Sequence, residues 1–128
     1  MELKEYFETT KGTGVLSTAD SQGRVDAAIY ARPHFMEDGS VAFIMRDRLS
    51  HSNLQTNPYA AFLYIEQGPG YKGKRLFLKK SGEETETERL YELRRRTPST
   101  TSGSQEEVKF LVFFQVEKVL PLVGPGKE

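Results

Sequence analysis

One segment of the chain, residues 39–63, constrains the fold more tightly than any other. It reads GSVAFIMRDRLSHSNLQTNPYAAFL, which is an apolar run, a polar corner, a short helical stretch and a second apolar run. Apolar runs rich in β-branched and aromatic residues and bounded by polar clusters are typical of strands. Asn57-Pro58 ends the helical stretch, because a residue before proline is pushed out of the helical region. The segment therefore predicts a strand at Val41–Met45, a helix at Ser50–Asn57 and a strand at Ala60–Ile65.

The rest of the chain is also predicted to be mainly β. Gly23 and Gly39 mark turns, since glycine supplies the positive φ that many chain reversals need. Ser81 with Glu84 three residues later has the spacing of a capping box, which predicts the start of a helix that runs to Arg96. The remaining predictions are a helix at Glu2–Thr9 and strands at Gly14–Thr18, Val25–Ala31, Arg75–Lys80 and Val108–Leu122.

Two of the predicted strands are apolar at successive positions, Ala60–Ile65 and Phe110–Phe114. A strand with one face in water should alternate apolar with polar residues, so both faces of these strands must be covered. Either a helix of the same chain or a second subunit can cover the outer face. Because symmetric dimers are the commonest oligomers, a homodimer is the favoured interpretation.

Composition narrows the class of protein. A chain of 128 residues is expected to form one domain, residues 1–128, with a mobile loop at 97–107 and a tail at 124–128. Eighteen basic and eighteen acidic side chains cancel, so no nucleic-acid partner is expected. The absence of cysteine excludes a thiolate metal site and fits a cytoplasmic location. No apolar run reaches the roughly 20 residues of a membrane span.

The helix of the opening segment carries a more specific signal. Leu54 lies four residues before the proline of the Asn57-Pro58 pair. With this spacing the segment resembles the signature of the pyridoxamine 5'-phosphate oxidase-like, FMN-binding split-barrel family. The resemblance extends from about Val15 to Val123. It implies a mixed, mainly β fold: a split β-barrel of about six antiparallel strands with peripheral helices, assembled as a dimer with FMN at the subunit interface.

The resemblance also identifies the positions that hold the FMN phosphate. In the oxidase these are basic residues at the two ends of the second strand and a Ser-Arg-Lys corner after the third. Here Ala28 and Pro33 occupy the first two positions, and Arg48, Leu49 and Ser50 occupy the corner. An anion site is still expected nearby, because helix N-termini present unpaired N–H groups and arginine binds phosphate bidentately.

The candidate flavin-binding residues follow from this alignment. The backbone of Tyr30, Ala31 and Arg32 matches the oxidase segment that runs beside the isoalloxazine ring, and backbone contacts survive side-chain substitution. The other candidates are His34, Arg46, Arg48, Ser50 and His51. The two histidines keep two interpretations, either polar surface or capping groups, or ligands and proton donors.

The function predicted from these residues is FMN binding, with an oxidoreductase reaction on an unidentified small substrate. No acid, base or nucleophile pair identifies that substrate, so no catalytic residue is assigned. The alternative is a non-catalytic flavin or haem carrier, or a ligand sensor, in which His34 or His51 is a ligand.

Overall fold

The computed structural model describes residues 2–85, 87–96 and 109–124, without the side chains of residues 95 and 96. The predicted loop at 97–107 lies outside the described residues, as does all of the tail but Gly124. The helices of the described part are α1 (Leu3–Thr9), α2 (Leu49–Thr56) and α3 (Glu88–Arg96). The strands are β1 (Gly12–Ala19), β2 (Val25–Tyr30), β3 (His34–Phe35), β4 (Val41–Arg46), β5 (Tyr59–Glu66), β6 (Gly73–Thr85) and β7 (Lys109–Pro121).

These strands form one antiparallel sheet that curls into a split barrel. Its order is β2-β1-β5-β6-β7-β4-β3, so β4 does not pair with the β1–β2 hairpin that precedes it but with the last strand of the chain. The predicted mainly β architecture is confirmed, with seven strands in the described residues rather than about six. The additional strand is β3, whose two residues pair with Val41 and Ala42 and give no sequence signal of their own.

The concave face of the sheet holds the main core. Leu16, Phe43, Phe62 and Phe114 come from four different strands and are almost completely buried. Helix α1 closes this core, because Phe7 inserts its ring against Phe62 and Tyr64. Complete burial of each such side chain stabilises the fold by about 1.5–3 kcal/mol.

Helix α3 covers the convex face of β4 and β7. Leu90 is fully buried and forms a second cluster with Ala42 and Leu111, against which Phe113 packs. The guanidinium of Arg89 lies 4.9 Å from the ring centre of Phe113. A helix of the same chain therefore covers Phe110–Phe114, so these residues do not require a second subunit.

The predicted helix start at Ser81 is wrong. Strand β6 continues to Thr85, and Gly82–Thr85 pair with Phe110–Phe113 of β7. A register shift between Lys80 and Gly82 lets the strand bend at this point and continue. Eleven residue pairs join β6 to β7, and such long-range pairing outweighs the local preference of a Ser-x-x-Glu sequence. Helix α3 begins only at Glu88.

The convex face of β1, β2 and β5 has a different environment. Ile29 on β2 lies opposite Val15 on β1, and Val15 lies opposite Leu63 on β5. This row, which we call the Ile29 strip, is continuous across three strands. Ile29 is 71% exposed, and Val15 and Leu63 are partly exposed. The apolar run Ala60–Ile65 of β5 thus has an outer face that the described residues leave partly accessible.

Candidate functional site

The corner between β4 and α2 lies at one end of the barrel. Arg48 is the N-cap residue of α2 and has extended backbone angles, and within the described chain its side chain makes no capping hydrogen bond. At the other end of the helix, Asn57 is the C-cap and its side-chain oxygen accepts a hydrogen bond from the Tyr59 N–H. The buried Asn53 amide donates to the Thr18 hydroxyl over 3.0 Å. These bonds fix α2 against β1 and present its first turn at the barrel end.

Ser50, in the first turn of α2, contacts the second strand. Its hydroxyl is buried and donates to the Asp26 carboxylate over 3.3 Å. The Tyr30 side chain is hydrogen-bonded to the same serine, and burial raises the pKa of Tyr30 above 10, with the Ser50 bond opposing the rise and the Asp26 charge adding to it. The predicted residues Tyr30 and Ser50 therefore lie together, and Asp26 contacts the same serine.

His51 follows Ser50 and is equally buried. Its ring stacks on Phe110 with 3.7 Å between ring centres and an interplanar angle of 13°. Nε2 lies 3.1 Å from Glu83 Oε2, and Nδ1 lies 3.5 Å from Asp47 Oδ1. His51 thus joins α2 to β6 and β7, with both ring nitrogens near carboxylates.

Glu83 is the centre of this polar cluster. Lys80 Nζ lies 2.7 Å from Glu83 Oε1, and the Gln55 amide donates to the same oxygen over 3.1 Å. Burial alone would raise the pKa of Glu83, but the hydrogen bonds from Lys80, Gln55 and His51 and the Lys80 charge lower the pKa to about 2. The carboxylate is therefore ionised at neutral pH and is neutralised mainly by Lys80.

The segment Tyr30–Arg32 leaves β2 beside α1. The Arg32 guanidinium donates to the Phe7 carbonyl over 2.6 Å. That carbonyl belongs to the last turn of α1, where carbonyl groups lack helical partners and a positive charge is favourable. The Arg32 side chain thus anchors α1, whereas the exposed backbone around Ala31 remains available for contact with a ligand.

The two histidines are not brought together. His34 pairs with Ala42 and so shares the convex, α3-covered face of the sheet, whereas His51 stacks on Phe110, which packs against the main core. Strand alternation puts Arg46 on the same convex face as Ala42 and Ile44. Of the predicted anion-corner residues, Ser50 contacts Asp26 near the start of β2, and the exposed Arg48 is the N-cap residue of the same helix.

Two residues of this region were missed from the sequence. Asp26 lies in a predicted strand, and Glu83 falls in the stretch wrongly predicted as helix. The alternation of β2 was a usable signal for Asp26, because it puts Asp26, Ala28 and Tyr30 on one face. Glu83 gave no comparable signal, since its position depends on the extension of β6.

Comparisons with known proteins agree with this fold. No family model and no curated protein matches the chain by sequence. Among solved structures, an FMN-binding protein from Syntrophomonas wolfei superposes with a TM-score of 0.73 and 20% identity, covering 94% of this chain and 84% of that one. The haem storage protein HutZ from Vibrio cholerae gives 0.67 and 20%, covering 92% and 90%.

A third structure, assigned as a pyridoxamine 5'-phosphate oxidase from Listeria innocua, has a TM-score of 0.65 and 19% identity, and the match covers 94% of each chain. The chain therefore has the split-barrel fold of the pyridoxamine 5'-phosphate oxidase-like proteins. In the described residues, no helix is long and apolar enough to cross a membrane.

Proposed function

We propose that this protein binds a flavin, with FMN as the leading ligand. The observation that carries the proposal is the arrangement at the barrel end, where the Ser50 hydroxyl in the first turn of α2 lies beside β2 and the cationic Arg48 is the N-cap residue of the same helix. A helix start is a favourable position for phosphate, and arginine binds phosphate bidentately. The solved FMN-binding protein of the same fold supports the choice of ligand.

In this proposal the polar tail of FMN contacts Arg48, Ser50 and His51, whereas Arg46 lies on the convex face of β4 and is not among these contacts. The isoalloxazine ring lies along the backbone of Tyr30, Ala31 and Arg32. The chain supplies orientation and electrostatics, while hydride chemistry belongs to the flavin when it is bound. The reaction proposed is an oxidoreductase step on a small substrate.

The alternative function is a carrier or sensor for flavin or haem, and the haem storage protein with this fold supports its inclusion. Haem ligation by His51 would require the ring to give up contacts that it already makes, because Nε2 contacts Glu83 and the ring is packed on Phe110. The visible spectrum of the purified protein separates the ligands, since bound flavin gives two broad near-visible bands and haem gives a Soret band.

Substitution of Arg48 tests the phosphate contact. Loss of a charged hydrogen bond of about 1.5–3 kcal/mol predicts that Arg48→Ala weakens FMN roughly tenfold to hundredfold. Riboflavin has the same ring and no phosphate, so its affinity should change little. Arg75→Ala is the matched control, because it removes the same charge from the start of β6, where Arg75 donates to the Pro121 carbonyl. It should leave the ratio of FMN affinity to riboflavin affinity unchanged. Equal weakening of both flavins by Arg48→Ala would contradict the phosphate role, and no binding of either by the unmodified protein would contradict the flavin proposal.

We also propose that the protein is a homodimer that pairs through the Ile29 strip. Ile29 directly precedes Tyr30–Arg32, the segment proposed to hold the flavin ring. A second subunit on this strip would therefore lie next to the ligand. The unmodified protein should sediment at about twice its chain mass of 14.5 kDa. Ile29→Asp should give a folded monomer, because a carboxylate buried without a partner costs several kcal/mol. Val119→Asp, on β7 away from the strip, should remain dimeric, and a monomeric unmodified protein would refute the proposal.

A further inference from the structure

The charges around the first turn of α2 are not those of a strongly basic phosphate site. Asp26 contacts Ser50 at 3.3 Å, and Asp47 lies 3.5 Å from His51. Lys80 and His51 both contact Glu83, and the charge of Lys80 is engaged by Glu83 at 2.7 Å. The acidic side chains here therefore oppose the positive charge that Arg48 brings to this turn.

Asp26 has the most direct position among these carboxylates. It comes from the concave face of β2, and it accepts a hydrogen bond from the hydroxyl of Ser50, a residue that is only 6% exposed. A negative charge at the start of a helix is stabilised by the helix macrodipole. The carboxylate of Asp26 thus already satisfies the preference of α2 for an anion.

We infer that Asp26 is a specificity-determining residue that weakens binding of a phosphate-terminated flavin relative to a flavin with a neutral polyol tail. This inference rests on the proposed flavin function and concerns the selectivity of the same site. A phosphate at this corner must approach a like charge and compete with Asp26 for the Ser50 hydroxyl. A ribityl hydroxyl meets neither obstacle, because it can donate a hydrogen bond to the carboxylate.

The effect should be large enough to measure by equilibrium binding. Like charges several ångströms apart at a partly buried site repel appreciably, so removal of the Asp26 charge should strengthen FMN by about tenfold. Riboflavin should bind no more tightly, and should weaken slightly if its tail loses the charged acceptor. The FMN-to-riboflavin affinity ratio should therefore rise by about tenfold.

The experiment compares FMN and riboflavin binding, followed by quenching of flavin fluorescence, for the unmodified protein and for Asp26→Asn. Asp38→Asn is the matched control, because it removes the same charge from the β3–β4 turn, where Asp38 bonds Ser40. Asp26→Ser, which is smaller and also neutral, is the second variant if the asparagine protein does not fold. Thermal unfolding of each variant establishes that the binding change is not a loss of structure.

A rise in the affinity ratio for either Asp26 variant but not for Asp38→Asn is the expected result. An unchanged or lowered ratio, with both flavins still bound, would overturn the role of Asp26 and leave the flavin function intact. Failure of the unmodified protein and of both Asp26 variants to bind either flavin would refute the proposed function, and this inference with it.

Discussion

The polar cluster around Glu83 makes a quantitative prediction about stability and pH. The pKa of Glu83 is lowered from 4.5 to about 2 in the folded protein. A difference of this size corresponds to at most about 3 kcal/mol of stability at neutral pH. The Glu83 side chain is 24% exposed, so solvent screening reduces our expectation to about 2 kcal/mol. Glu83→Gln should therefore lower the free energy of unfolding by about 2 kcal/mol near pH 7.

The pH dependence of this stability loss tests whether it comes from the Glu83 charge. Because the pKa is lower in the folded state than in the unfolded state, the contribution is fully present above pH 4.5 and is lost as the pH falls through about 2. Urea unfolding at a series of pH values should show the difference between the unmodified protein and Glu83→Gln shrinking over this window. Glu117→Gln, on an exposed position of β7, is the matched control and should have little effect. A Glu83→Gln difference that stays constant from pH 7 to pH 3 would refute the electrostatic argument.

Two further predictions concern packing. Leu90→Ala should destabilise the protein by about 2–5 kcal/mol in urea unfolding, because Leu90 is fully buried between α3 and the convex face of the sheet. A loss of stability below about 0.5 kcal/mol would contradict that placement. Gly14→Ala should cost about 1–3 kcal/mol, since its Cβ would lie 2.4 Å from Phe62 Cζ and 2.6 Å from the Tyr30 carbonyl oxygen. Gly82→Ala, which meets nothing within 4 Å, is the control, and equal losses for the two glycines would contradict the steric reason.

The sequence predicted the fold where its signals were local. The helix at α2 agrees to within one residue at each end, because Pro58 limits it on one side and the apolar run of β4 on the other. The hairpin of β1 and β2 was predicted as two strands joined by a turn at Gly23, whose φ is +84°. In these segments local preference and tertiary pairing favour the same structure.

Prediction failed where pairing between distant strands decides the structure. Ser81–Thr85 have a helix-start sequence but complete a strand, because β7 supplies partners that lie 25 or more positions away in the sequence. The same extension brings Glu83 to His51. Sequence spacing carries no information about such a contact, so the polar cluster could not be foreseen from the residues alone.

The two acidic residues missed from the sequence have different consequences for function. Glu83 neutralises Lys80 and contacts His51, so its role is to hold α2 against β6 and β7. Asp26 instead contacts the first turn of α2 through Ser50, where a ligand anion would also be stabilised. A substitution at Glu83 should therefore change stability with both flavins affected alike, whereas a substitution at Asp26 should change the choice between flavins. The ratio of FMN to riboflavin affinity thus distinguishes the residue that supports the corner from the residue that selects its ligand.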